Sequence, residues 1–199
     1  MILSNLEIQK AIDDGDLVID PEPLPRRPTL AAGSQCPYNT TSVDLRLGPN
    51  LSIVPSGGPR KPVVLDLRQG GIAPYLSQIY TRRILDAGGY ALQPGHFVLG
   101  MTLESISLPI RQDRPSLAAR IEGRSSYARC GLLVHFTAPT IHADFTGPIA
   151  LEIKNLGEYP IMLYSGDYIA QLIVERVSGT PFKNPSQFQG QALPTGLKS

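Results

Sequence analysis

A chain of 199 residues, 42% apolar and 18% charged, is long enough to bury a hydrophobic core and reads as one globular domain, neither disordered nor fibrous. Its formal net charge of +1 comes from Lys and Arg spread along the sequence, without the basic stripe of a reader of long duplex nucleic acid. No apolar run approaches a membrane span, MILSNLEIQK lacks a signal segment, and Cys36 and Cys130 form no CxxC pair, so the expectation is a cytoplasmic protein with reduced thiols and no membrane partner.

The first predicted element is a helix. Ser4 and Glu7 form an S-x-x-E capping box, Leu6, Ala11 and Ile12 supply an apolar face, and Gly15 stands where a helix C-terminal glycine belongs. Beyond it, 19 glycines and 19 prolines leave few uninterrupted helical windows. Residues 22–40 and 55–62 read as loops. Short or alternating apolar runs predict strands at Thr41–Leu47, Phe97–Leu103, Leu117–Ile121, Leu132–Thr137, Ile149–Ile153, Ile161–Tyr164 and Ile169–Val174, separated by turns such as Gln93-Pro94-Gly95 and Ser165-Gly166-Asp167. Between Gly70 and Ala87, Tyr75, Ile79 and Ile84 fit either one helical face or loop anchors. From about residue 178 to 199 apolar periodicity fades, and a mobile tail is expected. The expected fold is mainly β, a sandwich or jelly roll in one domain over 1–199 with a short N-terminal helix.

Several chemistries lack their residues. The H-x-E and P-C-x-x-C pieces with which zinc deaminases hold a water-activating metal are missing, and His96, His135 and His142 have no metal-ligand spacing. There is no P-loop, dinucleotide fingerprint or G-x-S-x-G elbow. The informative stretch is EGRSSYARCGLLVHFTAPTIHADFTGPIALEIKNLG, residues 122–157. Arg124, Ser125 and Ser126 place a guanidinium and two hydroxyls in a turn after a strand, a combination suited to phosphate oxygens. Period-2 alternation puts Ile149, Leu151 and Ile153 on one face and Ala150, Glu152 and Lys154 on the other, with small Ala150 leaving room above the carboxylate. Taken singly, Glu152 reads as well as a solvated charge beside Lys154, Arg124 as a surface arginine, and His135 as a structural histidine with its hydrogen bonds satisfied.

The blocks together resemble the dCTP deaminase family, a branch of the trimeric dUTPase-like superfamily. GRSSYARCGLLVHFTA followed by F-x-G-x-x-x-LE-x-x-N is similar to its central signature. The opening MILSNLEIQKAI, Ser42–Gly48 (SVDLRLG), Leu92–Gly100 with Thr102-Leu103-Glu104, Ile169–Ile173 and Phe188–Gln191 are similar to further family blocks, in the family's order along nearly the whole chain.

The resemblance implies a distorted jelly roll of the dUTPase-like type, a homotrimer with shared active sites, and hydrolytic deamination of dCTP to dUTP and ammonia without zinc. It makes Glu152 the general base that takes a proton from water attacking C4 of cytosine and passes it to N3. Ser125 and the main-chain carbonyl of Ala138 would hold that water, and Arg129 would orient the carboxylate. Arg124 and Ser126 would grip the triphosphate across a subunit boundary. Main-chain groups at Phe136 and Thr137 would read the cytosine edge, Phe145 would pack on deoxyribose, and Gln191 would close over the phosphates. Mg²⁺ would arrive with the triphosphate, and dUTP and dTTP are further candidate ligands. Ordinary dUTPases lack the Arg129 and Glu152 combination, which favours deamination.

Two positions depart from the family pattern. His142 stands where many relatives carry Asp, a residue of the sugar-binding hairpin that activates water in dUTPases, and Gln187 stands where some carry a phosphate-binding lysine. Two alternatives therefore remain: a bifunctional enzyme that carries dUTP on to dUMP and pyrophosphate, and a nucleotide-binding trimer without catalysis.

Overall fold

The computed structural model describes residues 1–30, 35–55, 66, 68, 72–184 and 190–196. The predicted loop from residue 56 onward, Gln187, and the first half of the Phe188–Gln191 block lie outside the described residues. Helix α1 (Asn5–Asp13) forms half of the expected capping box: Ser4 Oγ accepts from the Glu7 amide at 3.3 Å, while the Glu7 carboxylate pairs with Arg176 instead of reaching back to Ser4. Asp14 caps its end and Gly15 follows at φ +71°. The buried residues of α1 are Ile8 and Ala11, with Ile12 packed beside them, whereas Leu6 is 57% exposed. The expected face was misplaced at Leu6, because five residues separate it from Ala11 and the helical repeat turns the two out of line.

The remaining elements in chain order are β1 (Val18–Asp20), β2 (Tyr38–Asn39), β3 (Ser42–Arg46), β4 (Asn50–Ile53), α2 (Ile72–Ile79), β5 (Thr81–Ile84), β6 (Tyr90–Leu92) and β7 (Phe97–Ser107). They continue with β8 (Leu117–Gly123), α3 (Ser125–Ala128), β9 (Leu132–Val134), β10 (Thr140–Ile141), β11 (Thr146–Asn155), β12 (Ile161–Leu163) and β13 (Tyr168–Arg176). All strand pairs are antiparallel and neither large sheet closes on itself. One sheet runs β5-β4-β7-β11-β9, with β1 on the far half of β7. The second runs β10-β8-β13-β3-β2, and β12 pairs with β6 separately. The result is the mainly β sandwich with a short N-terminal helix that the strand spacing predicts.

Ile149, Leu151 and Ile153 of β11 face inward and meet a core that includes Leu45, Leu47, Ile121 and Leu172. Leu47 bridges to Thr102, joining the two sheets. Polar residues of the two motif strands lock this junction. Arg46 donates from its amide (2.9 Å) and its Nε (2.6 Å) to the fully buried carboxylate of Glu104. Thr102 Oγ1 donates to the Glu104 carbonyl and accepts from the Ile149 amide, where the β11–β7 register shifts between Pro148 and Ala150.

The ambiguous segment resolves into two elements. Tyr75 and Ile79 belong to α2, which has no buried residue, and Ile84 belongs to β5 and is exposed. The strand predicted over Leu132–Thr137 ends early, at Val134. His135 (φ +54°) and Thr137 (φ +80°) adopt left-handed backbone, which cannot continue an extended ladder.

Candidate active site

Glu152 sits on the face of β11 opposite the core, between Ala150 and Lys154, as alternation requires. The amide of His135, just past β9, donates to the Glu152 carbonyl at 2.8 Å, so the two residues lie directly side by side. Their side chains meet: His135 Nδ1 is 2.8 Å from Glu152 Oε2. This close contact lacks hydrogen-bond alignment. Both imidazole nitrogens and that carboxylate oxygen are buried without a hydrogen-bond partner among the described residues. His135 is buried, and the Glu152 side chain is 32% exposed, so the carboxylate opens to solvent on one side. Unsatisfied buried polar atoms are costly and rare, and they mark a place where water or a ligand supplies the missing partners.

The turn after His135 is strained. Two non-glycine residues with left-handed φ flank Phe136, and such conformations gather at functional sites because their surroundings must hold them. Phe136 is 37% exposed and meets the Phe97 ring edge-on at 6.4 Å, while Thr137 and Ala138 are exposed. Residues 136–138 thus form an exposed turn directly after His135. Pro139 then returns to the sheet, its carbonyl accepting from the Ile121 amide.

The expected phosphate turn lies elsewhere in the chain. Arg124 caps α3, and its guanidinium faces inward, with Nη2 at 3.3 Å from Asp44 Oδ2, Nη1 donating to the Tyr168 carbonyl, and the Tyr127 ring beneath it at 5.4 Å. Ser125 and Ser126 are exposed. Arg129 is exposed too, and among the described residues its guanidinium has no hydrogen-bond or ion-pair partner. It lines a cavity of about 830 Å³ between α3 and β12, whose walls include Tyr127, Tyr159, Met162 and Tyr164 but not Glu152. Close backbone contact ties α3 to the far end of β11. Leu156 donates to the Gly131 carbonyl, and a Cβ on Gly131 (φ +87°) would lie 2.3 Å from the Gly157 nitrogen. Within one chain Arg129 and Glu152 are therefore not brought together.

The sugar-side candidates lie at the opposite end of β11. His142 is exposed, and its carbonyl accepts from the Phe145 amide; Phe145 is half-buried against the core. Seven residues separate Phe145 from Glu152, about 20 Å of strand. The tail reaches this same end: Lys183 pairs with Asp144 at 3.2 Å, the Gly190 amide donates to the Thr146 carbonyl, and the buried Gln191 donates to the Pro148 carbonyl. Sequence reasoning passed over two residues of these groupings. His135 was set aside as structural although it stands inside the central signature, and only strand register reveals it beside Glu152. Asp44 lies within the SVDLRLG block, and its link to Arg124 depends on tertiary packing. Among the described residues no group of three or more His, Cys, Asp or Glu is placed to hold a metal ion.

Comparison with known proteins agrees with this architecture. A protein of Corynebacterium efficiens named "dCTP deaminase, dUMP-forming" is 35% identical over 100% of this chain and 94% of its own length. A protein of Marinomonas sp. named "dCTP deaminase" is 34% identical over 90% of this chain and 86% of its own. The crystal structure of 2′-deoxycytidine 5′-triphosphate deaminase from Agrobacterium tumefaciens superposes with a TM-score of 0.59 at 21% identity, covering 89% of this chain and 48% of that one, and so shares the fold. The family model for dCTP deaminase-like proteins matches residues 2–177, and the chain belongs to the dCTP deaminase-like family.

Proposed function

We propose that this protein catalyses the hydrolytic deamination of dCTP to dUTP and ammonia, with Glu152 as general base. The observation that carries the reading is the Glu152 carboxylate itself, open to solvent on one side and pressed on the other against a buried His135 with unfilled hydrogen-bond capacity. A water bound there is activated by the carboxylate and adds to C4 of cytosine, and the proton taken by Glu152 passes to N3. The C4 hydroxyl then gives its proton, through Glu152, to N4, which leaves as ammonia as the C4 carbonyl forms, so that water and dCTP balance dUTP and NH₃. His135 packs against one side of the carboxylate. The Ala138 carbonyl and the main chain at Phe136 and Thr137, in the exposed turn that follows His135, hold the water and the base edge.

The substrate, as its Mg²⁺ complex, places its cytosine at Glu152, where small Ala150 leaves space; Phe145, about 20 Å of strand away, is too far to pack on the sugar of that same nucleotide within one chain. The tail at Gly190 and Gln191 lies against the Thr146–Pro148 end of the strand. Arg124, Ser125, Ser126 and Arg129 come from a second copy, because α3 is anchored past the other end of β11 in its own chain. A homotrimer with sites at its subunit boundaries satisfies this need, and it gives the unpaired Arg129 guanidinium a carboxylate to meet.

Names among the relatives favour a second reading, in which dUTP is carried on to dUMP and pyrophosphate. His142 in place of the aspartate of the sugar-binding hairpin weighs against it. Incubation with dCTP and Mg²⁺ followed by product analysis decides: ammonia with accumulating dUTP supports the first reading, ammonia with dUMP and pyrophosphate the second, and no ammonia overturns both.

A further inference from the structure

Asp44 is a charged group that the catalytic scheme above leaves unused, yet it is among the most thoroughly enclosed in the molecule. Its side chain is 1% exposed on β3. Oδ1 accepts from Asn39 Nδ2 at 2.8 Å and from Gln171 Nε2 at 3.0 Å, two neutral donors on the strands either side. Oδ2 is buried without a hydrogen bond, and the cation facing it is the Arg124 guanidinium at 3.3 Å. The Arg124 side chain is itself only 19% exposed. A buried carboxylate that loses its cation is strongly unfavourable, so Asp44 holds the guanidinium near it. The Tyr168 carbonyl and the Tyr127 ring complete the seat, each weaker than a full charge.

We propose that Asp44 is a positioning residue for triphosphate binding, acting through Arg124. It rests on the reading that Arg124 grips the nucleotide phosphates. The Oδ1 hydrogen bonds fix the carboxylate's rotation, and Oδ2 fixes the guanidinium plane at the head of the Arg124–Ser126 turn. The guanidinium donors not engaged by Asp44 and the Tyr168 carbonyl are the ones left for phosphate oxygens. Asp44 touches no substrate atom itself.

Asp44→Asn tests the idea. The amide oxygen still accepts from Asn39 and Gln171, but its NH₂ now faces the guanidinium, donor against donor, and Arg124 is released. KM for dCTP is expected to rise about tenfold with kcat changed little, while the inhibition constant of 2′-deoxycytidine, which lacks phosphates, stays at the parental value. Affinity for Mg²⁺-tripolyphosphate, measured by calorimetry, should fall in parallel. In an Arg124→Ala background the Asp44→Asn change should add nothing to KM. Equal weakening of dCTP and 2′-deoxycytidine, or full additivity with Arg124→Ala, overturns the proposal. Should Asp44→Asn not fold, Gln171→Ala removes one Oδ1 donor and should shift dCTP and tripolyphosphate in the same direction by a smaller factor, and no shift overturns the proposal. Because tripolyphosphate binding is read without turnover, the idea stands or falls separately from the deaminase assignment: a parental protein that binds tripolyphosphate but releases no ammonia from dCTP refutes only that assignment.

Discussion

At the scale of single residues, the proposed role of Glu152 predicts that catalysis and binding respond differently to its loss. Glu152→Gln keeps the shape but cannot accept and return a proton, so deamination should fall by about 10²–10⁴-fold while nucleotide affinity changes little. Ammonia release together with equilibrium dialysis of dCTP checks both halves, and parental turnover would mean that another group is the base. The buried Arg46–Glu104 pair behaves differently. Glu104→Gln leaves the Arg46 guanidinium with a neutral partner in a closed site, and a stability loss on the order of 3 kcal/mol is expected in urea melts. Glu152 was legible from strand alternation together with the motif blocks. His135 was not: its importance lies in a cross-strand register that a one-dimensional pattern does not contain. Arg46 and Glu104 were visible as motif members, but 58 residues separate them, and only the folded sheets show that they hold each other.

Elements show where local rules held and where tertiary demands overrode them. The Ser4 cap of α1 was readable because both partners lie within one turn. Its buried face was misjudged at Leu6, because composition suggested the stripe and geometry decided it. The end of β9 was unreadable, since β-branched Thr137 strongly disfavours left-handed φ yet adopts it two residues after His135 does. Two predictions belong at this level. Gly157→Ala would set a Cβ 2.5 Å from the Cys130 carbonyl, forcing α3 away from β11. A lower melting temperature is expected, with loss of activity beyond what the unfolded fraction accounts for. The loop after β1 is tied down by Glu22, which accepts from Arg26 and from the Tyr38 hydroxyl at 2.6 Å. The Arg26 guanidinium holds the Glu22 carboxyl below its ordinary value of 4.5. A depressed folded value means the cluster stabilises fully above about pH 4.5 and loses this contribution as pH falls through the folded value. Melting temperatures of parent and Glu22→Gln should therefore converge on acidification below that point; a gap that stays constant with pH would remove the carboxylate from the account.

For the whole molecule, the sandwich architecture followed from strand spacing and turn chemistry, while the layout of the site did not. Sequence placed Arg129 and Glu152 in one motif only 23 residues apart, and folding sends their side chains to different surfaces. If neighbouring copies reunite them, two inactive variants can rescue each other. Glu152→Gln and Arg129→Ala chains, unfolded together and refolded in equal amounts, should regain about a quarter of parental activity, because a fully competent boundary draws one intact residue from each chain at random. A mixture as inactive as its components would show that each site is built within a single chain.

If Arg129 must come from a neighbouring copy, its separation from Glu152 within one chain also sets when the chemistry can begin. On that reading a folded but solitary chain carries Glu152 without a neighbour's Arg129 guanidinium and should not deaminate dCTP. Specific activity should then fall steeply on dilution while circular dichroism stays unchanged, so that abundance itself acts as the ignition threshold.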